Sequence, residues 1–121
     1  MRYRKLGNTN IDVSVICLGT MTFGEQNSEK DGFEQMDYVI DRGVNFIDTA
    51  EMYAVPTRAE TYGKTEEIVG NWIKSKKNRD KIILATKIAS KSSGLSWVRE
   101  GGKKLSFNKK NVNAAIDASL K

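Results

Sequence analysis

At 121 residues the chain suits a single domain, and a hydrophobic share of 39% is enough for a modest core. No apolar run approaches the ~20 residues that span a bilayer, and Met1 to Lys5 is not followed by a signal-peptide apolar segment, so a cytoplasmic protein is expected. The sequence has no histidine, which removes imidazole chemistry and His-based metal sites from within this chain. Cys17 is the only cysteine, so no internal disulfide can form, and its apolar neighbours Val15, Ile16 and Leu18 predict a small buried thiol.

The net charge of +5 is unevenly spread. Residues 1–60 hold 6 Lys and Arg against 10 Asp and Glu; residues 61–121 hold 14 against 5. The basic excess gathers at Lys74, Lys76, Lys77, Arg79 and Lys81, and again at Lys103, Lys104, Lys109 and Lys110. Such clusters occur in nucleic-acid binders, but no aromatic residues interleave with the lysines to stack on bases. A solvated helix end and a charged loop are the favoured reading.

In chain order, Arg2 to Lys5 and Ile11 to Ser14 flank the turn residues Gly7, Asn8, Thr9 and Asn10, which predicts an opening hairpin. Val15 to Leu18 reads as a buried strand stopped by Gly19. Phe33, Met36, Val39 and Ile40 recur at helical spacing, with Ser28 and Asp31 as a capping box and Gly43 just past the end. Val44 to Ile47 forms a second strand closing at Asp48. After a polar loop holding Pro56, the only proline, a second helix carries Ile68, Val69, Trp72 and Ile73 on one face. Its first turn is acidic and its last basic. Ile82 to Ala85 is a third strand. Its continuous apolar run suits a parallel strand covered by helices. Ser90 to Lys104 lacks periodicity and reads as a long loop. A last helix places Val112, Ala115, Ile116 and Leu120 together.

A hairpin followed by three βα units implies a parallel sheet with right-handed crossovers. A flavodoxin-like fragment and part of a (β/α) barrel both satisfy this order. No G-x-G-x-x-G follows the first strand, which counts against a Rossmann fold, and a P-loop is absent.

In α/β folds the working groups lie at the carboxyl ends of strands. Asp48 ends the second strand, Tyr53 follows in the loop, and Lys87 ends the third strand. An ammonium beside a phenol favours the phenolate and lowers a pKa that is otherwise ~10, which lets the hydroxyl donate a proton near neutrality. The aspartate would keep the lysine charged and in place. Each residue has an ordinary reading too: Asp48 as a loop cap, Tyr53 as rim packing, Lys87 as a solvated charge.

Four segments bear on that choice. They are Gly19-Thr20-Met21-Thr22-Phe23-Gly24, Asn45-Phe46-Ile47-Asp48-Thr49-Ala50-Glu51-Met52-Tyr53, Gly63-Lys64-Thr65-Glu66-Glu67-Ile68-Val69-Gly70 and Ala85-Thr86-Lys87. In order and spacing they resemble the aldo-keto reductase family. Glu51 to Pro56 and Val69-Gly70-Asn71-Trp72 are similar to its Tas-like bacterial branch. The resemblance implies an α/β fold, a partial TIM (β/α)8 barrel made of an amino-terminal β-hairpin and the first three βα units, with residues 1–121 forming the amino-terminal part of one barrel domain.

The same resemblance implies NADPH-dependent carbonyl reduction, with Tyr53 as acid and Asp48 and Lys87 tuning it. Thr20 and Met21 would approach the nicotinamide end of the cofactor, and Asp48 would also lie beside its ribose. Gly63, Glu66 and Gly70 would start the second helix and let it pack closely, and Trp97 would either line a substrate loop or simply pack. The family's catalytic histidine and most of its cofactor cradle would lie beyond Lys121, and the last helix carries no stop signal. The expectation is therefore a truncated chain, inactive alone and holding NADPH weakly. It would self-associate or take up a complementary barrel fragment, with a small carbonyl substrate only once the barrel is complete. The alternative is a non-catalytic remnant or self-associating interaction module.

Overall fold

The computed structural model describes residues 1–92, 94–102 and 104–121. Lys103, a member of the second basic cluster, lies outside them. Strands β1 (Tyr3–Lys5) and β2 (Asp12–Ser14) form the opening antiparallel hairpin. It is followed by β3 (Leu18–Gly19), helix α1 (Glu29–Asp41), β4 (Phe46–Asp48), helix α2 (Lys64–Lys76), β5 (Ile83–Ala85) and helix α3 (Lys109–Ser119). β3, β4 and β5 make a parallel sheet in that spatial order. Leu18 pairs with Ile47, and Ile47 with Leu84.

Local sequence sets most of these boundaries. Ser28 caps α1, its hydroxyl accepting from the Asp31 amide while the Asp31 carboxylate accepts from the Ser28 amide. These bonds satisfy donors that the first turn leaves open. α1 ends at Arg42, and Gly43 then turns the chain at φ 83, a conformation that glycine adopts freely. Gly63 precedes α2 at φ 77, so a left-handed residue rather than a side-chain cap starts that helix.

Side chains alternate across a strand, and this alternation divides the sheet into two working faces. Ile47 and Leu84 point toward the helices. There they join Phe23, Met36, Ile68, Val69, Trp72 and Ile82 in the main core. Each such buried apolar side chain contributes roughly 1.5–3 kcal/mol. α1 and α2 are also pinned by polar bonds. The Trp72 indole donates to Asp37 at 2.9 Å, and Lys76 reaches the same carboxylate at 2.7 Å. One member of the first basic cluster is thus an interhelical partner rather than a free charge.

The hairpin is anchored at the amino-terminal end of β4. The Asn45 side chain accepts from the Ser14 amide at 2.7 Å and donates to the Asp12 carbonyl at 3.0 Å. The Tyr3 hydroxyl donates to the Gly43 carbonyl at 2.6 Å.

Three expectations need correcting. Val15 to Leu18 is not a buried strand: pairing in the parallel sheet begins at Leu18, and Val15 and Ile16 are 46% and 57% exposed. Cys17 is exposed as well. Among the described residues β3 pairs with β4 alone, and Val15 and Ile16 precede it outside the sheet. Second, the described residues of Ser90 to Lys104 carry structure of their own. Ser92 bridges Leu105, Ser96–Val98 forms a 3-10 turn, and Ala89, Val98 and Leu105 build a small core with Met52, Tyr62 and Leu95. Trp97 packs edge-on to Tyr62, with ring centroids 5.5 Å apart. Third, Gly70 does not permit close packing, because a Cβ placed there would have no heavy atom within 4 Å. Gly32 does that work: its Cβ would lie 3.0 Å from the Phe23 ring and 3.3 Å from Ile68.

The face of α3 is only partly used. Ala115 is buried, whereas Ile116 and Leu120 are 46% and 80% exposed.

Candidate active site

The opposite face of the sheet carries the charged groups. Since Ile47 points to the helices, Asp48 must point the other way, and Lys87 lies on the same face two residues beyond Ala85. The strand ends are held in register by a continuing ladder. The Thr49 amide donates to the Ala85 carbonyl and the Glu51 amide to the Lys87 carbonyl, both at 2.9 Å.

Lys87 and Asp48 meet directly. The ammonium donates to both carboxylate oxygens, at 2.8 and 2.6 Å, and to the Thr49 carbonyl at 2.7 Å. Tyr53 completes the group, its ring centroid 4.9 Å from the Lys87 Nζ, a cation–π distance. Partial burial of Lys87 works against its charge. Hydrogen bonding to Asp48 and the nearby Tyr53 more than offsets this, so the ammonium is held above its ordinary pKa. Asp48 at a strand end, Tyr53 in the loop and Lys87 beyond the next strand thus lie together as one constellation. It remains half open, the Asp48 and Lys87 side chains being 36% and 46% exposed.

The residues expected at the cofactor end border this group. Thr20 is fully buried and donates from its hydroxyl to the Asp48 carbonyl at 2.9 Å. Its hydroxyl therefore sets the strand end. Met21 is 46% exposed, and its carbonyl accepts the Val55 amide at 2.8 Å, tying the loop after β3 to the loop that bears Tyr53. Gln26 reinforces this junction by donating to the Val55 carbonyl at 3.0 Å.

On the loop that bears Tyr53 lies a buried polar network that sequence reasoning missed. Glu51 is only 2% exposed. Its carboxylate accepts from the Tyr62 hydroxyl at 3.0 Å, from the Ala89 amide at 2.7 Å, and from the Arg99 guanidinium. Burial pushes the Glu51 pKa up, but the bonds from Arg99, Ala89 and Tyr62 outweigh it and hold the carboxyl below its ordinary value. Burial, then the charge and hydrogen bond of Glu51, push the Tyr62 phenol up to about 12. Glu51 sits inside the recognisable Asp48 to Tyr53 run, but nothing local signals that its partner is Arg99, 48 residues away. Cys17 also senses this face. Partial burial, and then the Asp48 charge, raise its thiol pKa, with Lys87 opposing.

A hairpin followed by a parallel array of βα units is the pattern of part of a (β/α) barrel. The chain belongs to the Aldo/keto reductase family, which it matches over residues 15–121. Protein tas of Escherichia coli (strain K12) is 45% identical over 123 aligned residues, covering 100% of this chain and 34% of that protein. An uncharacterized 11.2 kDa protein in the crtE 3′ region of Pseudescherichia vulneris is 34% identical over 91 residues, 74% of this chain and 88% of that one. Aldo-keto reductase AKR11C1 from Bacillus halodurans, in its holo form, superposes with a TM-score of 0.73 at 31% identity, over 99% of this chain and 35% of that structure. The fold is accordingly part of a TIM barrel, a hairpin and three βα units. The chain spans about a third of the length of Protein tas. No helix among the described residues is long and apolar enough to cross a membrane.

Proposed function

We propose that these residues carry the proton-donating centre of an NADPH-dependent carbonyl reductase, with Tyr53 as the acid and Asp48 and Lys87 as its tuning pair. The observation that supports this most directly is the Lys87 ammonium, bound to both oxygens of Asp48 and 4.9 Å from the Tyr53 ring centroid. An ammonium fixed there favours negative charge on the phenol oxygen as it hands its proton to a carbonyl oxygen. Asp48 and Thr49 hold the ammonium by three bonds, so little reorganisation is needed when charge develops.

The residues present suit the nicotinamide end of the cofactor. Exposed Met21 offers apolar surface on the loop bonded to the one that bears Tyr53, and half-exposed Asp48 offers an acceptor. NADPH, when bound, would supply the hydride to the carbonyl carbon. Thr20 acts one step back, by holding the strand end of Asp48. On this reading the contacts to the cofactor phosphates, and the histidine of the family site, belong to strands outside these residues, and the chain alone holds NADPH weakly. A cytoplasmic location fits a free Cys17 thiol.

The test is NADPH oxidation with a panel of small aldehydes and ketones, using the chain alone and with a polypeptide that supplies the remaining barrel strands. Activity is expected only in the combined sample, falling at least about 100-fold on Tyr53→Phe, the lower range for losing a general acid. Activity insensitive to Tyr53→Phe, or none in the combined sample, refutes the reading.

A second reading rests on the exposed apolar residues Val15, Ile16, Ile116 and Leu120 and on the open edges of β3 and β5. Unpaired edges and apolar patches favour association. On this reading the chain self-associates or accepts a complementary fragment. A compact monomer in sedimentation at micromolar concentration would rule out self-association.

A further inference from the structure

We infer that Glu51 and Arg99 are positioning residues for the Asp48–Tyr53–Lys87 centre, coupling the lobe around Ser96–Val98 to the geometry of that centre. The inference rests on the reductase reading for its catalytic consequence, and on geometry alone for the coupling itself.

The β4–β5 ladder does not end where the strands do. After the Thr49 amide bonds to Ala85 and the Glu51 amide to Lys87, the next donor along is the Ala89 amide. It meets the side chain of Glu51, at 2.7 Å from Oε2, where a continuing strand would present a backbone carbonyl. The carboxylate thus supplies one more rung. The Lys87–Ala89 stretch is clipped to Glu51 twice, the Lys87 carbonyl bonded to the Glu51 amide and the amide two residues on bonded to the Glu51 carboxylate. From the other end its ammonium is fixed by Asp48 and Thr49. Tyr53 lies two residues past Glu51 on the same loop. One side chain therefore sets the distance between the two halves of the centre.

Glu51 can serve as a rung only if its rotamer is fixed and its charge balanced. Arg99 and the Tyr62 hydroxyl both bond to Oε1, leaving Oε2 for Ala89. Arg99 is held in turn: its Nε donates to the Asn111 side chain at 3.1 Å, in the first turn of α3. The side chains of Arg99 and Glu51 are only 10% and 2% exposed. A buried ion pair adds little stability over an apolar pair of similar volume, because desolvation cancels most of the attraction. What it adds is directional geometry, and here that geometry points at the backbone of Lys87. A displacement of the 95–99 segment, by substrate or by a neighbouring strand, is transmitted through Arg99 and Glu51 to Lys87.

The test uses the isotope-labelled chain and the variants Arg99→Met, Arg99→Lys and Tyr62→Phe. Three signals are followed by NMR: Ala89 amide exchange, the Lys87 ammonium resonance, and the Trp72 indole proton as a control on the main core. In Arg99→Met, Ala89 exchange should accelerate at least about tenfold, as expected for loss of a charge-assisted hydrogen bond. The Lys87 ammonium resonance should broaden or shift while the Trp72 signal stays in place, and Arg99→Lys should recover part of both changes. A Lys87 resonance identical to wild type, with Ala89 exchange accelerated, overturns the inference and leaves the pair as a fastener of the lobe. Should Arg99→Met lose the Trp72 signal, Tyr62→Phe removes one bond from the same carboxylate, and the same two signals decide. In the completed enzyme, kcat should fall about tenfold with the NADPH KM unchanged, recovered in part by Arg99→Lys. Coupled resonances without reductase activity would count against the reductase reading alone. An active reductase with uncoupled resonances would count against this inference alone.

Discussion

Replacing Gly32 with alanine should destabilise the chain, while the same change at Gly70 should stabilise it. Both glycines lie within helices, so both substitutions gain helix propensity, about 0.5–1 kcal/mol. The gain at Gly32 falls toward the lower end because it lies in the first turns of α1. The surroundings decide the sign. At Gly70 an added Cβ meets nothing within 4 Å. At Gly32 it would lie 3.0 and 3.3 Å from two atoms of the Phe23 ring and 3.3 Å from the Ile68 methyl. Phe23 and Ile68 are 0% and 1% exposed and belong to the main core. Neither can retreat without moving others, and forcing a methyl into a packed core typically costs ~1–3 kcal/mol. The net effect at Gly32 is a loss of about 0.5–2.5 kcal/mol, against a gain of about 0.5–1 kcal/mol at Gly70. Urea denaturation followed by far-ultraviolet circular dichroism measures both, provided the m-values agree with wild type. Gly32→Ala as stabilising as Gly70→Ala would refute the packing argument, since Phe23 and Ile68 would then have yielded at no cost.

Asp37→Ala should cost about 1–3 kcal/mol by leaving the buried Trp72 indole N–H without its acceptor, whereas Lys76→Met should cost under about 1 kcal/mol, because that ion pair is half exposed. Equal losses in denaturant titrations would show that the ion pair, not the indole bond, holds the helices. For Glu51, the folded pKa lies below the ordinary 4.5, so its contribution to stability is present above that value and is lost as the pH falls through the lowered folded value. Between pH 6 and pH 3 the wild type should therefore lose more stability than Glu51→Gln, and parallel curves would contradict the assignment. Cys17, although exposed, has a raised thiol pKa, so iodoacetamide at pH 8 should alkylate it more slowly than a free cysteine. Asp48→Asn should speed the reaction by removing the neighbouring negative charge, and an unchanged rate would show that Asp48 does not act on the thiol.

Local chemistry made much of the fold legible. The Ser28–Asp31 box, Gly43, the acidic start and basic end of α2, and the turn residues of the hairpin act over a few residues, and their structures follow the sequence closely. Strand alternation carried the centre too: once Ile47 belongs to the core, Asp48 must face away from it, and Lys87 lies in phase with it two residues past the end of β5. What failed was burial at the margins. Val15, Ile16 and Cys17 have interior composition, but they precede β3 outside the sheet, and composition does not say where a strand begins to pair.

The sequence by itself determined the order of elements, the ends of the first two helices, the family and the three residues of the candidate centre, because each is encoded in short patterns. Only the tertiary structure decided that Lys87 reaches both oxygens of Asp48, that Gly32 rather than Gly70 admits a neighbour, and that Arg99 closes on Glu51. Each of these joins residues tens of positions apart, or depends on space left between packed side chains. Chain order carries no direct record of either, since such contacts form only when the whole sheet and its helices come together.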